Sequence, residues 1–124
     1  MRIFLTRVFA RFAAKERISD AALRDAVRRA EAGLVDADLG GGVIKQRVAR
    51  PGKGKSGGYR TIVLFRRQTR AVFVYGFAKS ERENIDPQEL RDFRDSGRVI
   101  LNLSESEMSA AVIAGKFREI GHDA

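Results

Sequence analysis

Ten lysine and arginine side chains lie between Asp38 and Glu81, and no aspartate or glutamate lies among them. They are Lys45, Arg47, Arg50, Lys53, Lys55, Arg60, Arg66, Arg67, Arg70 and Lys79. The rest of the chain is close to neutral, so this basic segment carries the net charge of +8. Because a stable domain normally dilutes such repulsion with carboxylates, we expect the segment to face a polyanion. A merely solvated basic face is the alternative.

Cations alone can promote cleavage of RNA, because RNA carries its own nucleophile. Its 2′-hydroxyl attacks the adjacent phosphorus once it is deprotonated and aligned. A lysine crowded by other cations gives up its proton more readily, and the candidates for general base or acid are Lys53, Lys55 and Lys79. An arginine stays charged and suits the phosphorane, so Arg60, on a predicted strand, is the first choice for that role. The alternatives are a solvated turn for the loop lysines and a salt bridge at the strand end for Arg60.

Further cations and two aromatic residues are candidates for binding RNA. They are Lys45, Arg47, Arg50, Arg66, Tyr75, Phe77 and Arg82. The basic groups would neutralise phosphates, and the two rings would stack on an unpaired base. Packing in the core is the alternative for both rings.

Other chemistries find little support in the residue types. Glu81 and Glu83 follow the basic segment rather than lying in it, which disfavours a two-metal nuclease. The sequence GKGKSGG lacks the full phosphate-loop pattern and precedes a strand, which excludes a P-loop. There is no cysteine, and the only histidine, His122, has no evident serine partner, so neither a zinc cluster nor a nucleophilic triad is expected. We expect no metal and no cofactor.

The first fifteen residues contain four cations and no acid, which raises the question of a targeting segment. No uninterrupted apolar stretch is long enough for a signal peptide or a membrane span, and an amphipathic transit peptide is the remaining alternative. We therefore expect a cytoplasmic protein without membrane association. A chain of 124 residues is predicted to form a single domain over residues 1–124.

Four apolar runs are predicted to be strands: IFLTRV, VIKQRVAR, YRTIVLFRR and AVFVYGFAK. The last two flank the polar pair Gln68 and Thr69 as in a β-hairpin, and their lack of a polar face predicts a central place in a sheet. Regular alternation would put Tyr75 and Phe77 on the same side as Phe73. The glycine-rich PGKGKSGG before the hairpin is expected to be a flexible loop.

Capping residues predict the helices that accompany these strands. Ser19 precedes the apolar stripe of AALRDAVRRAEAG, Asp86 precedes PQELRDFRDSG, and Ser104 with Glu107 forms a capping box for a last short helix. GKFREI is predicted to be a final edge strand. The elements together indicate an α+β domain.

KSGGYRTIVLF followed by VFVYGFAKSERENI resembles the RelE/ParE superfamily of bacterial toxins, closest to the HigB-like branch, over nearly the whole chain. The resemblance implies a compact α+β fold, with a mainly antiparallel curved sheet of four to five strands and helices packed on one face. It also implies cleavage of messenger RNA in the ribosomal A site, with contacts to ribosomal RNA. In RelE-like enzymes the lysines before the Tyr-Arg strand, its arginine and the basic end of the next strand serve cleavage, which points to Lys53, Lys55, Arg60 and Lys79.

The chain departs from the RelE pattern in three places. The lysine spacing is shifted, Ser80 stands where RelE has an arginine, and the later catalytic tyrosine falls near Ile85. The family further implies a cognate antitoxin that carries a DNA-binding region, masks the basic surface and forms a hetero-oligomer with the toxin.

Two other functions remain open at this level. ParE-like members of the superfamily inhibit DNA gyrase without nuclease activity, so the fold alone does not separate an enzyme from an inhibitor. A non-catalytic RNA-binding or ribosome-binding module would also need only a basic surface with aromatic residues. Lys53, Lys55, Arg60 and Lys79 favour the nuclease.

Overall fold

The computed structural model describes residues 1–50 and 54–121, without the side chains of residues 54–56. Within them the chain forms, in order, β1 (Arg2–Thr6), α1 (Arg7–Glu16), α2 (Asp20–Glu31), β2 (Ala37–Asp38), β3 (Val43–Arg50), β4 (Gly54–Arg66), β5 (Arg70–Ala78), α3 (Pro87–Ile100), α4 (Glu105–Ile113) and β6 (Phe117–Ile120). None of the helices in these residues is long and apolar enough to span a membrane.

The described strands form one sheet in the order β2-β3-β4-β5-β1-β6. Only β1 and β5 run parallel, and the other neighbours are antiparallel. The predicted α+β fold with a mainly antiparallel sheet is therefore confirmed. β4 and β5 lie in the middle of the sheet, as the lack of a polar face in both runs predicts.

The helices pack on both faces of the sheet rather than on one. Along β1, Ile3 and Leu5 contribute to a core with α1 and α2, whereas Phe4 packs on the opposite face with Leu101 and Met108 from the α3 and α4 side. The strand count also differs, because the described residues contain six strands and not four to five. The additional strand is β2, which has only two residues and lies at one edge of the sheet. The final edge strand predicted in GKFREI is confirmed as β6, which has four residues.

Local capping residues place the helices where the sequence predicts them. The Ser19 side chain accepts a hydrogen bond from the Ala22 amide at the start of α2. Capping boxes begin α3 at Asp86, with Glu89, and α4 at Ser104. Each reciprocal pair satisfies backbone amides that have no partner within the helix.

The predicted flexible loop PGKGKSGG is partly wrong, because β4 already begins at Gly54. Gly58 lies against β3, where an added Cβ would collide with the carbonyl oxygen of Val48. Gly58 thus allows close approach of two strands and does not mark a turn. Residues 51–53, which include Lys53, lie outside the described part of the chain.

An irregularity in β5 changes the face on which its aromatic residues lie. Ile62 of β4 pairs with Tyr75, but the next residue, Val63, pairs with Phe73, so Val74 is an extra residue in β5. Such a bulge shifts the alternation by one position. Phe73 therefore packs with α1 and α2, whereas Tyr75 packs on the α3 side, and the predicted single aromatic side is wrong.

Candidate nucleic-acid interface

Two rows of side chains cross the α3-side face of the sheet at the end where β4 begins and β5 ends. In one row Lys45 pairs with Ile62, which pairs with Tyr75. In the next row Arg47 pairs with Arg60, which pairs with Phe77. Directly paired residues point to the same face of a sheet. The register therefore brings five of the predicted site residues together: Lys45, Arg47, Arg60, Tyr75 and Phe77.

The charge of Arg60 is not compensated by any carboxylate among the described residues. Its Nη1 atom is buried and has no hydrogen-bond partner, and its cross-strand neighbour is a second cation, Arg47. Within the described part of the chain, neither guanidinium forms an ion pair with a carboxylate. Like charges opposite each other are destabilising, and an unpaired buried donor costs free energy. An anionic ligand at the accessible part of the two guanidiniums would offset the repulsion between them.

Two lysines lie at the border of the same surface. The Lys45 Nζ donates a long hydrogen bond of 3.5 Å to the Asn84 side chain. Lys79 directly follows β5 and is exposed, with no ion pair to any side chain that the structure describes. The backbone of Lys55 belongs to β4, but its side chain, like all of Lys53, lies outside the described residues.

Arg82 occupies a different environment, because an acid already compensates its charge. Its guanidinium forms an ion pair with Glu89, donates to the Tyr75 hydroxyl at 3.0 Å, and donates through Nε to the Asn84 carbonyl at 2.8 Å. The Arg82 hydrogen bond holds the pKa of Glu89 below its usual range, and Glu89 in turn raises the pKa of Arg82. Sequence reasoning did not find Glu89, whose only visible signal is the capping box of α3.

The two aromatic rings differ in exposure. Tyr75 is half-buried and packs against Phe77 and Phe93, with a ring centroid separation of 6.0 Å to each. Phe77 is only 4 % exposed. The guanidinium carbon of Arg82 lies 5.7 Å from the Tyr75 centroid and 5.9 Å from the Phe77 centroid. Arg82 thus covers the aromatic pair in this structure.

Two predicted RNA-binding arginines do not join the group. Arg66 lies six residues along β4 from Arg60, a separation of about 20 Å for an extended strand. It donates to the Leu101 carbonyl at 2.5 Å and to the Asn102 side chain at 3.0 Å. Arg50 lies over the Tyr59 ring, at 5.6 Å from its centroid, and Tyr59 belongs to the core with α1 and α2.

Behind this surface, Tyr59 connects β4 to α1. Its hydroxyl donates to Glu16 at 3.0 Å, and burial, with that hydrogen bond, raises the pKa of the phenol. The Gly-Gly-Tyr-Arg sequence thus has three separate tasks: Gly58 allows β3 to approach, Tyr59 packs into the core, and Arg60 projects to the opposite face.

An open cavity of about 380 Å³ borders the surface between α1 and β5. It is lined by Val8, Phe12, Lys15, Glu16, Tyr75, Gly76, Phe77, Glu81 and Arg82. Within the residues that the structure describes, no group of three or more histidine, aspartate or glutamate side chains is arranged to hold a metal ion. The groups that line the cavity are therefore cations, a phenol, aromatic rings and the two carboxylates of Glu16 and Glu81.

The chain was also compared with known proteins. The family model described as "RelE toxin of RelE / RelB toxin-antitoxin system" matches residues 1–120. The chain therefore belongs to the RelE family of toxins from toxin-antitoxin systems, a family that implies an antitoxin partner. A search of curated proteins found no match. The resemblance read from the sequence is confirmed at the level of the family.

Proposed function

We propose that this RelE-family protein is a ribosome-dependent, metal-free endonuclease of messenger RNA, of the HigB-like branch, that uses the 2′-hydroxyl of its substrate as nucleophile. The observation that supports this most is the uncompensated guanidinium of Arg60 in a row of cations and aromatic rings. Arg60 is half-buried, lies opposite a like charge and has no ion pair among the described residues, so the exposed part of its guanidinium retains donors for a phosphate oxygen.

The proposed reaction assigns a separate task to each kind of side chain. Arg60 binds the non-bridging oxygens and stabilises the additional negative charge of the phosphorane. Lys79, Lys53 and Lys55 are the candidates for removing the proton of the 2′-hydroxyl and for protonating the 5′-oxygen that leaves. Lys45 and Arg47 neutralise neighbouring phosphates. The products would be a 2′,3′-cyclic phosphate and a 5′-hydroxyl.

The proposed partners follow from the same surface. A messenger RNA strand in the ribosomal A site and ribosomal RNA would be the polyanions that the cations face. An acidic antitoxin with a DNA-binding region would cover the same cations and form a hetero-oligomer. The proposed site of action is the cytoplasm.

Inducible expression in bacteria tests this function. Wild type, Arg60→Ala and Lys79→Ala would be compared by mapping the 5′ ends of messenger RNA in translating and translation-arrested cells. Arg91→Ala is the matched control, because Arg91 is an exposed arginine of α3 whose side chain, within the described residues, donates only to Gln88. We expect new in-frame ends with wild type and Arg91→Ala, and none with the other variants or without translation.

Growth arrest with intact messages would contradict the nuclease. Supercoiling and cleavage assays with DNA gyrase would then distinguish a ParE-like inhibitor from a non-catalytic ribosome-binding module. Thermal unfolding of each variant shows whether a loss of activity reflects a loss of fold.

A further inference from the structure

Arg82 has almost no free hydrogen-bonding capacity. An arginine has five N–H donors. Four contacts are present, to the Asn84 carbonyl, to the Tyr75 hydroxyl and to both carboxylate oxygens of Glu89. A phosphate approaching this guanidinium would find few donors left and would meet the negative charge of Glu89. Arg82 is therefore poorly suited to bind a phosphate in the way that Arg60 is.

The position of Arg82 favours a different kind of contact. Its guanidinium carbon lies over Tyr75 and Phe77, and the side chain is still 30 % exposed and lines the open cavity beside α1. The guanidinium is planar, and unpaired RNA bases stack on arginine planes as well as on aromatic rings. Phe77 is 4 % exposed, so the plane that a base meets first is that of Arg82 and not that of Phe77.

Resting on the proposed function, we infer that Arg82 is a stacking platform for an unpaired nucleobase of the RNA, and that Glu89 is the positioning residue that fixes its orientation. Glu89 is well placed for this task, because its side chain also accepts the Asp86 amide in the capping box of α3. The orientation of Arg82 is thereby tied to the first turn of a helix. The charges of Arg82 and Glu89 cancel, so the guanidinium plane can stack on a base without adding a contact to a phosphate.

Salt dependence separates stacking from phosphate binding. Each phosphate that a cation neutralises contributes about 0.7 to the slope of log affinity against log salt for single strands, whereas stacking contributes nothing to it. The probe is a single-stranded 2′-O-methyl RNA octamer, which lacks the nucleophile and stays intact. Its fluorescence anisotropy would be measured with the full-length protein between about 50 and 200 mM salt, a range over which phosphate contacts change affinity strongly.

Arg82→Lys keeps the charge and removes the plane. We expect its affinity to fall about 10-fold, the scale of one lost base stack, with the salt slope of the wild type. Arg47→Ala is the comparison, and its slope should become shallower by about 0.7. Wild-type affinity in Arg82→Lys, or a shallower slope in Arg82→Ala, would overturn the assignment of Arg82.

Glu89→Gln retains an acceptor for the capping box, because glutamine also serves at that position. It removes the ionic partner of Arg82 and should weaken binding relative to Glu83→Gln, which removes the same charge from an exposed position nearby. If both variants tighten binding equally, Glu89 only repels RNA and does not position Arg82. Failure of the wild-type protein to bind the octamer, or a wild-type response in Arg82→Lys, overturns this inference alone. The proposed ribosome-dependent function is decided separately, by the mapping of message ends in translating cells.

Discussion

At the turn between β4 and β5, the arginines of the basic segment are compensated by groups from other elements, whereas at the opposite end of the same strands they are not. Arg70 is 2 % exposed and contacts Glu105 and the Ile100 carbonyl at 2.8 Å each. Glu105 also pairs with Arg2, which pairs with Glu119. Each of the two side chains has one buried nitrogen without an acceptor, Nε in Arg70 and Nη1 in Arg60. What distinguishes them is the ion pair of Arg70 with Glu105, because Arg60 has no carboxylate partner among the described residues.

The difference separates structural cations from candidate functional ones. Arg66, Arg67 and Arg70 all lie in the uninterrupted run of positive charge, yet each contacts a residue that comes from far away in the chain. These contacts link the sheet to α2 through Glu31, to the end of α3 through Leu101, and to α4 through Glu105. The charge that remains for a polyanion is concentrated around Arg60, Arg47 and the lysines near them.

The largest effect is expected for Arg60→Ala. Removal of a donor that stabilises the phosphorane should lower the rate of message cleavage about 100- to 1000-fold. The free energy of unfolding should not fall, because the substitution removes a buried donor without an acceptor and a like charge opposite Arg47. Cleavage rates and urea unfolding of the same preparation measure both. Loss of stability in parallel with activity would mean that Arg60 is a structural cation like Arg70.

Arg70→Met is expected to show the opposite behaviour. The substitution breaks a partly buried network and should lower the free energy of unfolding by about 2–3 kcal/mol, as for other buried partners removed from a pair. The rate of cleavage per folded molecule should be unchanged. Urea unfolding measures the stability, and a cleavage assay corrected for the folded fraction measures the rate. A loss of cleavage without a loss of stability would place Arg70 in the functional surface.

The sequence predicts local features of this arrangement well, and long-range ones poorly. Helix starts at Ser19, Asp86 and Ser104 follow from contacts within four residues, and the structure confirms them. The apolar stripe of α2 predicts that one side of this helix is buried, but it does not predict which face of the sheet the helix covers. Pairing of Arg70 with Glu105 spans 35 residues, and nothing in the charge run distinguishes Arg70 from Arg60.

The candidate site, too, depends on long-range pairing that the sequence does not predict. Composition alone indicates a basic surface, and Arg60, Tyr75 and Phe77 do lie together. Their common face depends on the extra residue Val74, because a shift of one position moves every following side chain to the other side. That shift arises from pairing with β4 and leaves no periodic signal in the sequence of β5.

The pH dependence of stability should differ between the two regions. Hydrogen bonds from Arg2 and then Arg70 hold the pKa of Glu105 below its usual range. A carboxyl whose pKa is depressed in the folded state stabilises the fold at pH values above its unfolded pKa, which is near 4.3. This stabilisation is lost as the pH falls through the pKa of the folded state. Glu105→Gln should therefore reduce the loss of stability on acidification from pH 6 to about pH 3. Urea unfolding at several pH values measures this, with Glu83→Gln as control; equal acid sensitivity in Glu105→Gln and wild type would contradict it.

The smallest effect is expected for Arg66→Ala. Loss of its contacts to Leu101 and Asn102 should lower the free energy of unfolding by about 1 kcal/mol, as for other hydrogen bonds made by a charged group near the surface. The salt slope of RNA binding should be that of the wild type. A slope shallower by about 0.7 would restore Arg66 to the RNA-binding surface that the sequence predicts.

The central claim is that Arg60 and the cations around it promote attack of the 2′-hydroxyl of the message on the adjacent phosphorus. The most direct test is cleavage of a ribosome-bound message that carries a single 2′-deoxynucleotide at the mapped cut site, with an all-ribose message as control. We expect the control to yield a 5′-hydroxyl and a 2′,3′-cyclic phosphate, and the deoxy message to stay intact at that position. Cleavage of the deoxy message at the same bond would contradict the account, because another nucleophile would then attack the phosphorus.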